Sequence, residues 1–209
     1  MQAQMATVPA LLDDDSEKRR QILDGALEVF LAKGYDAASM SEIARAAGVS
    51  KGTLYVYFKN KEELFDDIVS GVCKVQGEHD FQLDPDDHDV AGALTRFGTL
   101  FATMMCRPET ISGLRLVIAI SARMTERGQR FYLEGPARSV AQLQTYLEAQ
   151  NAAGILKVED CEVAAAQFID SVIATTFKPV LFNFDPPTPE RAAHVVGIAV
   201  KAFLAAYKK

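Results

Sequence analysis

Cysteine is scarce: Cys73, Cys106 and Cys161 are the three in 209 residues, and their separations match no metal-binding spacing. An odd count without a secretion signal points to reduced thiols packed as small hydrophobes in a cytoplasmic protein. The first residues lack the basic flank and apolar run of an export signal. No stretch reaches the roughly 18 consecutive apolar residues of a membrane span. Histidine is equally sparse, with His79, His88 and His194 in unrelated positions. There is no Gly-rich phosphate cradle and no nucleophile elbow. Neither an enzyme nor a cofactor-binding protein is expected, and no membrane partner either.

Positive charge is also short. The formal net charge is -6, which excludes sequence-blind nucleic-acid binding over the whole surface. One short stretch runs against the trend: Asp36 to Lys61 carries Arg45, Lys51, Lys59 and Lys61 against Asp36 and Glu42, a net +2. Any contact with a polyanion must be local, and it should be salt-dependent.

What is present is helical periodicity. Strand alternation of useful length and internal repeats are both lacking, so the expected class is all-α. Met1 to Asp15, with Pro9 and the run Asp13-Asp14-Asp15, is read as a mobile tail (1–15), and Ser16 as the cap of a first helix. From Glu17 to Lys33 the apolar residues Ile22, Leu23, Ala26, Leu27, Phe30 and Leu31 draw one stripe, stopped by Gly34. Ser39 and Glu42 form a capping box for a short helix ending at Gly48. Ser50 caps a third helix, Lys51–Phe58, Asn60 with Glu63 caps a fourth, and Gly77 to Asp87, carrying Pro85, is read as a polar loop. Further helices are expected over Val90–Cys106, Glu109–Met124, Ala137–Gln150, Cys161–Phe177 and from Thr188-Pro189 to about Tyr207, with Gly128 and Gly135 as punctuation. The domain boundary falls near Ile68–Val75.

The segment Ser39–Phe65 carries the function. Turning about 100° per residue from Lys51, Leu54 and Phe58 fall together at roughly 300° and 340° and must face other helices. Gly52, Thr53 and Val56 occupy the opposite side, flanked by Lys51 with Tyr55 and by Tyr57. That layout suits a helix lying in a DNA major groove. Gly52 permits close approach, Lys51 can reach guanine acceptors, Thr53 and Val56 can meet a thymine methyl, and the tyrosine hydroxyls can touch phosphates. Lys61, a cation in a helix's first turn, opposes the macrodipole by about 0.3–1 kcal/mol. Its placement suggests an external anion such as phosphate.

The run Arg20–Phe65 resembles the DNA-binding domain of the tetracycline-repressor (TetR) family. The matching pieces are Ile22, Leu23, Ala26, Phe30, Gly34 and Tyr35, then Glu42-Ile43-Ala44, Ala47-Gly48-Val49-Ser50, Gly52-Thr53-Leu54-Tyr55, Tyr57-Phe58 and Lys61-Glu62-Glu63-Leu64. The resemblance implies operator-DNA contacts from Ser39, Ser41, Lys51, Gly52, Thr53, Tyr55, Tyr57 and Lys61. It implies a three-helix helix-turn-helix domain over 16–70 and an antiparallel helical bundle over 71–209 that binds a ligand and dimerises. The stretch Phe131-Tyr132 with Gly135-Pro136-Ala137-Arg138 resembles the AefR-like subgroup.

Further expectations follow from the resemblance. They are a homodimer pairing the last two long helices, an inverted-repeat operator in double-stranded DNA, and repression relieved by a small-molecule effector. The stripe Ala192, Val195, Val196, Ala199, Val200, Phe203 and Leu204 is assigned to the dimer interface. Phe97, Phe101, Met104, Met105, Leu116, Ile120, Phe131 and Phe168, with Phe177 beside them, suit an apolar or amphipathic effector and equally a plain core.

Two rivals remain open on the residues alone. One is a metal loop over His79-Asp80 and Asp84–Asp89, whose spacing matches no zinc or calcium pattern and which is better read as a solvated acidic loop. The other is a helical ligand-binding protein with no DNA activity.

Overall fold

The computed structural model describes residues 9–78, 81 and 83–209, with the side chains of 9–15 and 72–78 left aside. Every regular element among them is helical: α1 (Pro9–Lys33), α2 (Met40–Ala46), α3 (Lys51–Tyr57), α4 (Lys61–Glu78), α5 (Val90–Met105), α6 (Pro108–Ser121), α7 (Thr125–Glu134), α8 (Pro136–Ala152), α9 (Cys161–Ile173), α10 (Phe177–Leu181) and α11 (Pro189–Tyr207). The chain divides into two compact units, Met1–Ser70 and Gly71–Lys209, and the division falls inside α4.

In the first unit the stripe on α1 buries Ile22, Ala26 and Phe30 against Ile43, Leu54, Phe58, Leu64 and Phe65. Fully burying each large apolar side chain stabilises the unit by about 1.5–3 kcal/mol. Helices α1 and α2 approach closely because Gly25 has no side chain. A Cβ there would sit 2.6 Å from the Ala47 backbone nitrogen. The first helix begins at Pro9 and not after a Ser16 cap, so the expected irregular tail over 9–15 is corrected; residues 1–8 lie outside the described residues. Pro9 suits a first helical position, where a missing N–H costs nothing and φ is already set.

The second unit packs α5, α9 and α11 on one another, with α8 against α9 and the pairs α6–α7 and α7–α8 alongside. Its core joins Phe97, Phe101 and Met104 of α5 to Phe168 and Val172 of α9 and Val196, Val200 and Phe203 of α11. Gly98 allows the α5–α11 contact, since a Cβ would lie 3.0 Å from Val196 Cγ1.

Three expected boundaries shift, each for a local reason. The helix from Cys161 ends at Ile173, and α10 restarts at Phe177. Pro179 lacks the N–H, and its ring would clash with the carbonyl four residues back, at Thr175. Gly128 does not punctuate; it lies inside α7, where a Cβ would come 3.1 Å from Ser121 Cβ, so it sets the α6–α7 approach. The fourth helix runs on to Glu78, into the stretch expected as a polar loop from Gly77.

The acidic loop 83–89 is tied to α8. Buried Tyr146 donates its hydroxyl to the Asp87 carbonyl at 2.8 Å, and buried Gln150 donates Nε2 to the Pro85 carbonyl at 2.8 Å. With its amide thus oriented, Gln150 Oε1 accepts from His88 Nδ1 at 2.9 Å. His79 and Asp80 of the rival metal reading lie outside the described residues, and among the described residues no group of three His, Cys, Asp or Glu is arranged around a metal position. No described helix is long and apolar enough to cross a membrane.

Candidate nucleic-acid interface

Each element of the candidate interface is set by local capping. Ser39 Oγ accepts the Glu42 N–H at 3.3 Å, and Glu42 Oε2 accepts the Ser39 N–H at 3.1 Å, closing the capping box. Lys33 donates to Glu42 Oε1 from the last turn of α1. That bond first, and then those from Ser39, hold the Glu42 carboxyl well below its ordinary value of 4.5, at about 2. At the other end of α2, Gly48 takes φ +64, the left-handed conformation of a helix stop. Gln21 Nε2 donates to the Ala47 carbonyl there at 2.7 Å. Val49 returns its N–H to the Ala44 carbonyl, and Ser50 Oγ caps α3 by accepting from Thr53 N at 3.0 Å. Asn60 Oδ1 accepts from Glu63 N at 2.9 Å to start α4.

These caps fix which way α3 faces. Leu54 and Phe58 are buried, while Lys51, Gly52, Tyr55 and Val56 are exposed, Val56 at 81%. A Cβ on Gly52 would meet only Ser50 Oγ, at 3.7 Å. Nothing among the described residues therefore requires glycine at that position. An exposed valine, a glycine without internal cause and a tyrosine at 52% exposure form a surface that an outside partner can approach closely.

The eight sequence-assigned residues divide by their surroundings. Ser41, Lys51 and Tyr55 are exposed and make no hydrogen bond or ion pair among the described residues. Ser39 is exposed but committed to the capping box. Thr53 is half-buried, its hydroxyl 2.8 Å from that of Ser50, and Tyr57 is half-buried. Lys61 departs from expectation. Its ammonium donates to the carbonyls of Tyr35 (3.0 Å), Asp36 (3.1 Å) and Ala38 (3.4 Å) and lies 4.7 Å from the Tyr35 ring centre. The charge placed against the α4 macrodipole thus has internal acceptors, and an external anion is not needed to explain it.

Arg45, counted in the basic stretch but not among the site residues, is exposed on α2. Arg19 went unnoticed in the sequence. It pairs with Asp67 of α4, 48 residues away, and lies 4.6 Å over the ring of Phe58 at the end of α3, contacts for which no local pattern exists.

In the second unit, the eight effector-site candidates are all buried. Phe97 stacks on Phe101 at 5.7 Å and is tilted against Phe168 at 6.3 Å, a packed aromatic arrangement. Two clefts formed by described residues lie elsewhere. One of about 440 Å³ is bordered by Ser121, Thr125, Gly128 and Tyr132, and one of about 80 Å³ by His88, Ile155 and Leu204. Neither involves any of the eight.

The α11 stripe is corrected: Val195, Val196, Ala199, Val200 and Phe203 are buried within the unit, most of them in its core. The stripe is apolar because it meets α5 and α9, so the exposed side of α11, with Gly197 and Ile198 (56% exposed), is what remains for a partner.

Comparison with known proteins follows the same division. The family model for the C-terminal domain of AefR-like transcriptional repressors matches residues 92–209, and that for bacterial regulatory proteins of the tetR family matches 22–68. The HTH-type transcriptional regulator YhgD of Bacillus subtilis is 45% identical over 58 residues, 28% of this chain; the chain spans 30% of that relative's length. Among solved structures, a candidate TetR-family transcriptional regulator from Mesorhizobium loti superposes with a TM-score of 0.76 at 27% identity, covering 93% of this chain and 98% of that one. The flavonoid-responsive regulator FrrA superposes with a TM-score of 0.72 at 28% identity, over 92% and 98%. These relatives and neighbours are transcriptional regulators, not enzymes.

Proposed function

The chain belongs to the TetR family of bacterial DNA-binding transcriptional regulators, and on that premise we propose that it is a cytoplasmic homodimeric repressor released from operator DNA by a small apolar or amphipathic ligand. The observation that carries the reading is the outward face of α3, where Gly52 and Val56 lie open with Lys51 and Tyr55 at their edge. In a major groove the short Gly52 side lets the helix approach base edges, Lys51 reaches guanine N7 and O6, and Thr53 and Val56 lie against thymine methyls. Ser39, Ser41, Tyr55 and Tyr57 contact the flanking phosphates and fix register. Two such heads, one helical turn apart, read an inverted repeat.

Dimerisation uses the exposed sides of α9 and α11, where Val163 and Ile198 are half-exposed apolar residues on otherwise packed helices. The effector enters the apolar interior around Phe97, Phe101, Met104, Met105 and Phe168, with Leu116, Ile120 and Phe131 on α6 and α7. Methionines there can repack around a guest. The flavonoid-responsive neighbour makes flat aromatic molecules a first class to test. Effector and operator then weaken one another by the same factor.

The experiment is binding of the full chain to duplexes recovered from a random-sequence library, beside Gly52→Leu. Leucine is the better helix former and meets no internal clash, so the variant folds at least as well as the parent while operator affinity falls more than about tenfold. Wild-type affinity in Gly52→Leu, or no retention of the parent on any duplex at low salt, would refute the reading.

A further inference from the structure

We propose that Phe182 and Phe184, in the turn between α10 and α11, dock in the α6–α7 cleft of a second copy of this chain, so that each protomer gives its partner an aromatic pair and receives one. The inference deepens the homodimer proposed above and rests on it. Both halves of the contact lie in the second unit. Phe182 is 75% exposed and Phe184 69%, two large apolar rings left in water two residues apart. The turn that carries them is held from α6. Arg115 donates Nη2 to the carbonyls of Val180 (3.1 Å) and Leu181 (3.0 Å) and to Asn183 Oδ1 (2.8 Å), and Nε to the Leu181 carbonyl (3.1 Å). Asn183, between the two rings, takes φ +69, a left-handed conformation that asparagine tolerates better than most residues. A turn fixed in advance loses little further freedom when its rings are covered.

The cleft of about 440 Å³ is walled by Ser121, Thr125, Gly128, Gln129, Tyr132 and Leu133, none of them charged. Neither phenylalanine is among those walls, so the turn does not fill the cleft of its own copy. The two features nevertheless share α6: Arg115 and Ser121 are six residues apart, about 9 Å along the axis, with Ile118 exposed between them. Because each copy carries both ring pair and cleft, one two-fold axis satisfies both contacts. Three observations select a second copy as the occupant. The turn carries exposed Asp185, whereas residues 121–133 carry Arg123, Arg127 and Arg130 against Glu126, a net +2, so the two surfaces attract. The turn leads directly into α11, whose exposed side carries Ile198. A stable homodimer buries about 2,000 Å² or more, about 65% of it apolar. Among the described residues, Val163 and Ile198 are the exposed large apolar side chains of α9 and α11, and the ring pair with its cleft extends that small apolar area.

The test is photo-cross-linking of the full-length protein with p-benzoylphenylalanine in place of Phe184, using heavy-isotope and light copies refolded together. Peptide mass spectrometry should find heavy–light cross-links that join position 184 to a peptide within residues 121–133. A cross-link within one chain, a cross-link to another surface, or none, in a protein that sediments as a dimer, overturns the inference and leaves the dimer standing. A parent that sediments as a monomer overturns the dimer and the inference together. Two double variants supply a second readout. Phe182→Ser with Phe184→Ser removes the rings, and Tyr132→Glu with Leu133→Glu spoils the cleft; all four side chains are exposed, so the parent's helical circular dichroism should persist. Each should raise the dimer dissociation constant at least about a hundredfold. Mixed together, the two variants keep one of the two contacts, so the heterodimer should outweigh both homodimers. An unchanged constant in either variant, or no preference for the heterodimer, overturns the inference; should a variant fail to fold, the cross-link decides.

Discussion

Substituting alanine for glycine at two helical positions should move stability in opposite directions. In α1, a Cβ on Gly25 would lie 2.6, 2.7 and 2.8 Å from the N, Cα and Cβ of Ala47, the residue that ends α2. Two of those atoms are backbone, so neither partner can rotate away and the helices must separate. Overpacking of this kind costs about 1–3 kcal/mol, while alanine recovers about 0.5–1 kcal/mol of helix propensity. The net for Gly25→Ala is a loss of about 1 kcal/mol at the middle of these ranges and of at most about 2.5 kcal/mol. In α4, a Cβ on Gly71 has no neighbour within 4 Å among the described residues, so Gly71→Ala keeps the full gain of about 0.5–1 kcal/mol. Amide hydrogen exchange over Ile43–Ala47 and urea unfolding of the full chain read both effects. Because Ala47 leads directly into the Gly48 turn, Gly25→Ala should also weaken operator binding. A Gly25→Ala variant as stable as the parent would refute the claim that this glycine sets the α1–α2 distance.

Glu42, held at about 2 by Lys33 and the capping box, contributes stability that is complete above about pH 4.5 and is lost as the pH falls through the folded-state value. The stability gap between the parent and Glu42→Gln should therefore be present at neutral pH and close as the pH drops toward 2; acid titration of the two proteins in urea checks it. Tyr146→Phe removes the hydroxyl that donates to the Asp87 carbonyl and should lower stability by about 1–3 kcal/mol in denaturant unfolding. Burial pushes the Tyr146 phenol up to about 12, so in the parent this bond should persist through alkaline titration well past pH 10. Ile198→Glu should yield monomers by sedimentation velocity with the fold retained. Phe203→Ala, on the buried side of the same helix, should instead cost about 3–5 kcal/mol of stability.

The parts of this protein legible in its sequence are those made by residues three or four apart. Ser39 with Glu42, Ser50 with Thr53, Asn60 with Glu63, Asp160 with Val163 and Thr188 with Arg191 are caps whose donor and acceptor lie within one turn, so the helix starts could be read directly. The break after Ile173 was also signalled, by Pro179, but a proline's effect falls four residues upstream, and the helix is easily carried through it. The start of α1 at Pro9 was obscured by an acidic run that reads as loop while being compatible with a helix. Arg19 with Asp67, Gln21 with Ala47 and Lys61 with Tyr35 are different in kind, joining residues 26 to 48 apart that no periodicity relates.

By itself the sequence determined an all-helical chain, the helix-turn-helix and the side of α3 that faces outward, because hydrophobic spacing and capping chemistry are local. Only the tertiary structure decided which partner each face meets. It placed the α11 stripe in the core, packed the aromatic effector candidates against one another, and brought the Lys61 ammonium to the carbonyls of Tyr35, Asp36 and Ala38. An apolar stripe or a lysine states what it needs, burial or an acceptor. Where that need is met depends on which distant segment folding brings alongside.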